Sequence, residues 1–210
     1  MGTAKQLLPL GTGTVLEQTL ANVKEAGLKE IILVLGSCAE SIRRQLSDWL
    51  VTSMRIVTNE AYEQGMASSL RAGISGVSQR ADAALIVLAD QPFVRAETLA
   101  RIVEEYHRSR AQIVIPTYRG SRGNPVLLDR SVFQELMALE GDIGCRAIFG
   151  NHPDNIVKVE VEDSGILLDI DNKQDYERLR NFEATERQKL ALNESPTGKP
   201  ATRERSNESS

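Results

Sequence analysis

The chain has 210 residues, a formal net charge of −4 and only 4% aromatic residues, a length that holds one domain with a sizeable core and an extension. The acidic balance excludes a protein that coats duplex phosphates, and the few aromatics exclude a stacking platform for single strands. No apolar stretch approaches the roughly 20 residues that span a bilayer, so neither a nucleic-acid nor a membrane partner is expected.

The start, Met1-Gly2-Thr3-Ala4-Lys5, lacks the hydrophobic region of a secretory signal. Cys38 and Cys145 make neither a disulfide framework nor a paired metal motif, and a reduced, cytoplasmic setting is expected. Thr14-Val15-Leu16-Glu17 has the spacing of a capping box. Val15, Leu16, Thr19, Leu20 and Val23 follow at helical spacing, with Gly27 as the stop. Ile31 to Leu35 reads as a buried strand, and Ser37 to Glu40 repeats the capping-box spacing ahead of a second helix with Ile42, Leu46 and Leu50 on one face. Residues 54–57 predict a short strand and 68–77 a helix.

The run Ala83-Ala84-Leu85-Ile86-Val87-Leu88-Ala89 leads straight into Asp90, with Pro92 behind it. A strand apolar on both faces belongs inside a parallel sheet covered by helices, and its C-terminal end opens where such sheets bind ligands. A helix over 96–109, a strand over 112–115 closed by Pro116, and short helices near 131–139 and 143–149 follow. Strands near 156–161 and 165–168 and a final helix from Lys173 complete an α/β, doubly wound, mostly parallel sheet. No internal repeat is visible. Residues 1–186 are read as one domain. Residues 187–210 have almost no apolar content and are read as a disordered tail.

Five clusters carry possible chemistry. Gly2 and Lys5 can offer free backbone and a point charge to phosphate, or be an ordinary terminus. Asn59 at a strand end and Gly65, Ser68 and Ser69 at a helix start suit an anion or ribose; Ser68 or Ser69 acting as a plain helix cap is equally open. Asp90 is a carboxylate delivered by a strand, or a turn residue. Arg122, Gly123 and Asn124 lie in a flexible basic loop, and Asp142 and Arg146 flank a helix start that Asp142 could cap. Asp169 and Asp171 alternate onto one side of a strand end; with Asp90, Asp171 would make a two-carboxylate seat for Mg²⁺, while Asn172 can cap the last helix. His107 and His152 have no partner in sequence and are expected at the surface.

Six motifs in order, M-G-T-A-K-Q-L-L-P-L, N-E-A-Y-E-Q-G-M-A-S-S-L-R-A-G, V-L-A-D-Q-P, R-G-N-P-V, G-D-I-G-C-R and D-I-D-N-K-Q-D-Y, resemble those of the MobA-like nucleotidyltransferases, most closely the molybdenum cofactor cytidylyltransferase branch. They span Met1 to about Leu179. The resemblance implies a Rossmann-like three-layer α/β/α fold and a Mg²⁺-dependent transfer of CMP from CTP to molybdopterin or its molybdenum form, with release of pyrophosphate. It implies that Gly2 and Lys5 meet the nucleotide phosphates and that Lys5 and Asp90 are catalytic. Asn59, Gly65, Ser68 and Ser69 would hold base and ribose. Asp90, Asp171 and, more weakly, Asp169 would hold metal, and Arg122, Gly123, Asn124, Asp142 and Arg146 would face the pterin. A molybdenum hydroxylase is the implied partner. A phosphate nucleophile is already ionised at neutral pH, so positioning and electrostatics suffice and no catalytic histidine is expected.

The chain departs from that family in three places. Members normally begin with a strand and an L-A-A-G-x-S-x-R turn before M-G; neither is in this sequence, so the first strand is read as missing. The chain as written is expected to bind CTP weakly and to expose an aggregation-prone sheet edge. Asn124 stands where many members carry histidine, and Asn172 where threonine is frequent. A same-fold transferase using GTP or a sugar-phosphate acceptor is a second reading. A non-catalytic cofactor-binding chaperone is a third.

Overall fold

The computed structural model describes residues 4–46, 52–172 and 174–180. Gly2, Leu50, the helix start at Lys173 and the tail at 187–210 lie outside the described residues.

A small antiparallel hairpin, β1 (Pro9–Leu10) and β2 (Gly13–Thr14), opens the fold. Thr14 then caps α1 (Val15–Glu25): its hydroxyl accepts from the Glu17 N–H, and Glu17 accepts from the Thr14 N–H, at 3.2 and 3.0 Å. β3 (Ile32–Leu35) pairs parallel with β4 (Arg55–Thr58) across α2 (Ala39–Gln45). The capping box expected for α2 is not made. Cys38 takes left-handed backbone, φ 63°, and the helix starts without a side-chain cap. After β4 comes α3 (Met66–Gly76), two residues earlier than its apolar spacing predicts.

β5 (Ala83–Ile86), α4 (Ala96–Ser109), β6 (Ile113–Tyr118), β7 (Ser121–Arg122), β8 (Val126–Asp129), α5 (Phe133–Met137) and β9 (Ile156–Glu160) build the second half. Its sheet runs β5-β8-β6-β7, with β9 on the other edge of β6. The layered α/β class is as read, and the sheet is mixed because β8 enters antiparallel to both β5 and β6, while β6 and β9 are parallel. Pro116 does not close β6. Its carbonyl, and hence its missing N–H, faces away from β9, on the side where β8 pairs only with Ile113 and Val114. The strand expected near 165–168 is instead a 3-10 turn, Ser164–Leu167, because Asp163 accepts the Gly165 N–H and bends the chain there. Residues 174–180 form a last helix, α6.

Alternation sorts the core into two layers around the sheet. Val114 of β6 and Leu127 of β8 pack with Val23, Leu99, Ile102 and Tyr106 of α1 and α4. Ile113, Ile115, Val126 and Leu128 pack on the opposite face with Ile74, Phe133, Leu136, Ile148 and Phe149. A fully buried aliphatic side chain contributes about 1.5–3 kcal/mol, so these facing rows hold helices and sheet together. β5 departs from expectation. All four paired residues are only half-buried, and pairing stops at Ile86 although the apolar run continues to Ala89.

Candidate active site at the end of β5

Asp90 lies just past β5, and its carbonyl accepts from the Ile170 N–H at 3.2 Å, which ties the chain leading to Asp171 onto this end. Beneath, Leu10, Val15, Ile170 and Leu179 form a buried cluster with Leu8, Phe93, Leu168 and Tyr176 packed against it. The Tyr176 hydroxyl donates to the Pro9 carbonyl at 2.5 Å. The start and end of the described chain thus meet below the site. Lys5, in a 3-10 turn over Lys5–Leu7, sets its ammonium 2.7 Å from Asp90 Oδ2 and 3.2 Å from Asp171 Oδ1. Burial pulls the Lys5 ammonium down, but the hydrogen bonds and charges of Asp90 and then Asp171 outweigh it, and its pKa is raised.

Asn172 leaves Asp171 free for this role by capping α6 itself. Asn172 Oδ1 accepts from the N–H groups of Gln174 and Asp175, at 2.8 and 3.0 Å, while Asp175 accepts from those of Asp171 and Asn172. The Asp169 carboxyl is pushed up by burial and by the fields of Asp171, Asp90 and Asp175, opposed by a backbone hydrogen bond. Among the described residues no three His, Cys, Asp or Glu side chains converge closely enough to hold a metal alone. The donor set fits Mg²⁺ in its usual manner, with two carboxylates and the remaining positions left to phosphate and water.

Asn59, Ser68 and Ser69 come together, chiefly with one another. Asn59 is buried; its Nδ2 donates to Ser68 Oγ at 2.8 Å and Ser69 Oγ at 3.0 Å, and its Oδ1 accepts from the Ala61 N–H. Ser68 in turn donates to the Gly65 carbonyl, so neither serine caps α3. Gly65, at φ 94°, allows a second loop to close on the helix start; a Cβ there would stand 2.5 Å from the Gly141 carbonyl carbon. The Gly141 carbonyl accepts from the Ala67 N–H and Asp142 Oδ1 from the Met66 N–H, at 3.1 and 3.3 Å. Asp142 therefore caps α3, not the 3-10 segment Cys145–Asn151 that follows it.

Gly123 and Asn124 are stitched to neighbouring turns. The Gly123 N–H donates to the Pro116 carbonyl and the Asn124 N–H to that of Ile166, both at 3.0 Å. A Cβ on Gly123 would overlap the Ile166 carbonyl, so this loop requires glycine. Arg122 stacks over the Phe149 ring at 5.8 Å and is exposed, as is Arg146.

Two residues here were not among the expected site residues. Buried Asp163 accepts from the Arg95 N–H at 2.9 Å, Thr98 Oγ1 at 2.6 Å and the Gly165 N–H at 2.9 Å, and so holds the turn on which Asn124 rests. Gln91 is buried beside Asp90, and its Oε1 has no hydrogen-bond partner among the described residues. Asp163 lies outside the six motifs, while Gln91 follows Asp90 within V-L-A-D-Q-P, whose cue to it is the motif and not its burial. His107 is exposed as expected. His152 is not: it is half-buried between Gln112 and Glu135, at 2.8 and 2.7 Å.

The family described as MobA-like NTP transferase domain matches residues 1–156. Among characterised relatives, the molybdenum cofactor cytidylyltransferase of Escherichia coli K12 is 24% identical over 178 residues, covering 84% of this chain and 86% of that protein. The nicotine blue oxidoreductase of Paenarthrobacter nicotinovorans is 25% identical over 181 residues, covering 83% and 87%. A crystal structure of Rv0371C from Mycobacterium tuberculosis H37Rv, in complex with manganese, superposes with a TM-score of 0.73 at 33% identity and covers 86% of this chain and 93% of that one. No described helix is long and apolar enough to cross a membrane.

Proposed function

We infer the reaction from one premise: the chain belongs to the MobA-like NTP transferase family, whose members are nucleotidyltransferases. We propose that it transfers CMP from CTP to the terminal phosphate of molybdopterin or its molybdenum form, in a cytoplasmic setting and in the service of a molybdenum hydroxylase. The observation that carries this reading is the ammonium of Lys5 set between Asp90 and Asp171 at the end of β5.

In this reading an oxygen of the acceptor phosphate bonds to the α-phosphorus of CTP. The bond from that phosphorus to the bridging oxygen breaks, and its electron pair leaves on pyrophosphate. No proton need be removed from the nucleophile. Asp90 and Asp171, with Asp169 alongside, would hold a divalent cation such as Mg²⁺, which draws charge off the triphosphate. Lys5 adds a fixed positive charge where the leaving group develops negative charge. Gly2 would offer backbone to the phosphates. The Asn59–Ser68–Ser69 network would fix the Gly65 turn against base and ribose. Arg122, Gly123, Asn124 and Arg146 would receive the pterin phosphate, and Asp142 would hold the α3 start in place.

The test is pyrophosphate release on mixing the protein with Mg·CTP and molybdopterin. Release with CTP that is lost in Asp90→Asn supports the reading. Release only with GTP, or only with a sugar phosphate as acceptor, sinks it in favour of a same-fold transferase of other specificity; Asn124, on the acceptor side, is where the acceptor choice is least fixed by the resemblance. Pterin binding without turnover would mark a chaperone.

A further inference from the structure

β9 closes the larger sheet on one side. It pairs parallel with β6, and among the described residues no strand lies on its outer edge. The ladder fixes which backbone groups that edge presents. At its two ends the Ile113 N–H donates to the Asn155 carbonyl at 3.1 Å and the Val161 N–H to the Thr117 carbonyl at 2.8 Å. Bonding direction alternates along a strand, so residues 155, 157, 159 and 161 turn their backbone groups toward β6. Those of Ile156, Lys158 and Glu160 point outward, where a further strand would meet them.

The side chains sort by the same alternation. Val159 and Val161 are buried in the α4 layer, with Val157 packed against it. Lys158 and Glu160 are exposed and stand on the opposite face. Glu160 is held in place there: it accepts from the Thr117 hydroxyl and, at 2.7 Å, from the Arg119 N–H. Its carboxylate leans toward β6, so a cation approaching from the outer edge must come on a long stem, as lysine's does.

A charge in the middle of an edge strand ordinarily blocks pairing. Here the two charges are opposite in sign and two positions apart, and one arrangement turns the block into a match. A second β9, antiparallel and related by a two-fold axis through Val159, sets Lys158 of each copy opposite Glu160 of the other. Both positions face outward, so each such pair exchanges both of its N–H···O bonds. On the other face Val159 meets its own counterpart. Moving the axis to Lys158 keeps the bonding pattern but sets lysine against lysine, which is unfavourable.

We propose that β9 is the seam of a two-fold homodimer, in which the larger sheets of two copies join into one through antiparallel β9 strands centred on Val159. Such an interface is self-complementary, as two-fold symmetry requires. One strand of five residues is a small seam, so its charge pattern selects the partner more than its area does. The inference does not depend on the reaction proposed above, and its readouts involve no nucleotide.

The experiment follows the full chain by sedimentation equilibrium as concentration rises, with hydrogen exchange read in the same samples. A monomer–dimer equilibrium is expected. On dimerisation, exchange at the Lys158 and Glu160 amides should slow on the order of tenfold or more, while the Val157 and Val159 amides, already bonded to β6, stay as they were. Lys158→Glu alone and Glu160→Lys alone should each weaken association on the order of tenfold or more, because like charges then face each other. Mixed in equal amounts, the two variants should associate again as a heterodimer, each supplying the sign that the other lacks. A folding defect in either variant, including the lost Thr117 contact in Glu160→Lys, cannot produce that recovery. A chain that stays monomeric at every concentration overturns the proposal, and if its Lys158 and Glu160 amides are nonetheless protected, another segment of the same chain covers the edge. A dimer indifferent to both substitutions uses a different surface and also overturns it, as does a mixture of the two variants that fails to associate.

Discussion

The Lys5 ammonium lies 2.7 Å from one oxygen of Asp90 and, in the same pose, 3.2 Å from Asp171, so a side-chain cation bridges the two carboxylates that terminate neighbouring segments. A divalent cation using both carboxylates must displace that ammonium, which is then free to turn toward phosphate. Both Lys5 and Asp90 are part-exposed, and such pairs are worth up to ~1 kcal/mol. Lys5→Met should therefore tighten Mn²⁺ binding by about threefold to fivefold while weakening nucleotide binding. Titration of Mn²⁺ followed by its electron paramagnetic resonance signal checks the first effect, and calorimetry with CTP the second. Unchanged or weaker Mn²⁺ binding would count against the bridging role.

Asp90→Asn and Asp171→Asn keep size and hydrogen bonding but remove the charges. Each should lower pyrophosphate release on the order of 100-fold or more without loss of folded circular dichroism. If Asp171→Asn retains full rate at saturating metal, Asp90 alone holds the cation.

Asp169 is a carboxylate whose pKa is raised by burial first and neighbouring negative charge after it. A raised pKa in the folded state means that its stabilising contribution is present below its ordinary value of 3.8 and is lost as pH rises through the folded value. At neutral pH the ionised group strains the fold. Asp169→Asn should raise Tm at pH 7, with the gain shrinking as pH falls toward 3.8. A Tm gain independent of pH would show that charge is not the cause.

The Tyr106 hydroxyl donates to Asp129 at 2.6 Å. Burial and then that carboxylate push the phenol up to about 12. Burial raises the Asp129 carboxyl, but bonds from Tyr106 and Ser131 outweigh it and its pKa falls below 3.8. The phenol's share of stability is present below its ordinary value of 10 and fades as pH rises through about 12; the carboxylate's share is present above 3.8 and fades as pH falls through its lowered folded value. Tyr106→Phe should thus cost about 1.5–3 kcal/mol in urea unfolding at neutral pH and less at both extremes.

Gly65→Ala places a Cβ 2.5 Å from the Gly141 carbonyl carbon at φ 94°. It should part the 141–142 loop from the start of α3, at a cost of about 1–3 kcal/mol. The loss should show as faster exchange at the Met66 and Ala67 amides, and wild-type exchange there would refute the close approach.

The residues of the candidate site were legible because each announces itself locally: Asp90 ends an apolar run, Gly65 opens a helix, and Asn172 precedes the helix it caps. α1 was legible for the same reason, its capping box being a four-residue signal. Long-range relations were not. The antiparallel entry of β8 depends on which edge of β6 is free, and Asp142 caps a helix 76 residues distant in sequence. The roles of Asp163 and Gln91 come from burial, which no local spacing encodes. The half-burial of β5 is the sharpest case: Leu85 and Ile86 have the composition of a central strand and the surroundings of an edge.

The bond from Tyr176 to the Pro9 carbonyl latches the last described helix to the first hairpin. Leu10 and Leu179 close the same seam. Neither end can open alone: peeling α6 away uncovers Leu10 and loosens the turn that carries Lys5, and fraying of the first residues uncovers Leu179. The two extremities therefore unfold as one cooperative unit, and a protease cut close to residue 180 is felt at Lys5, which stands at the opposite end of the chain.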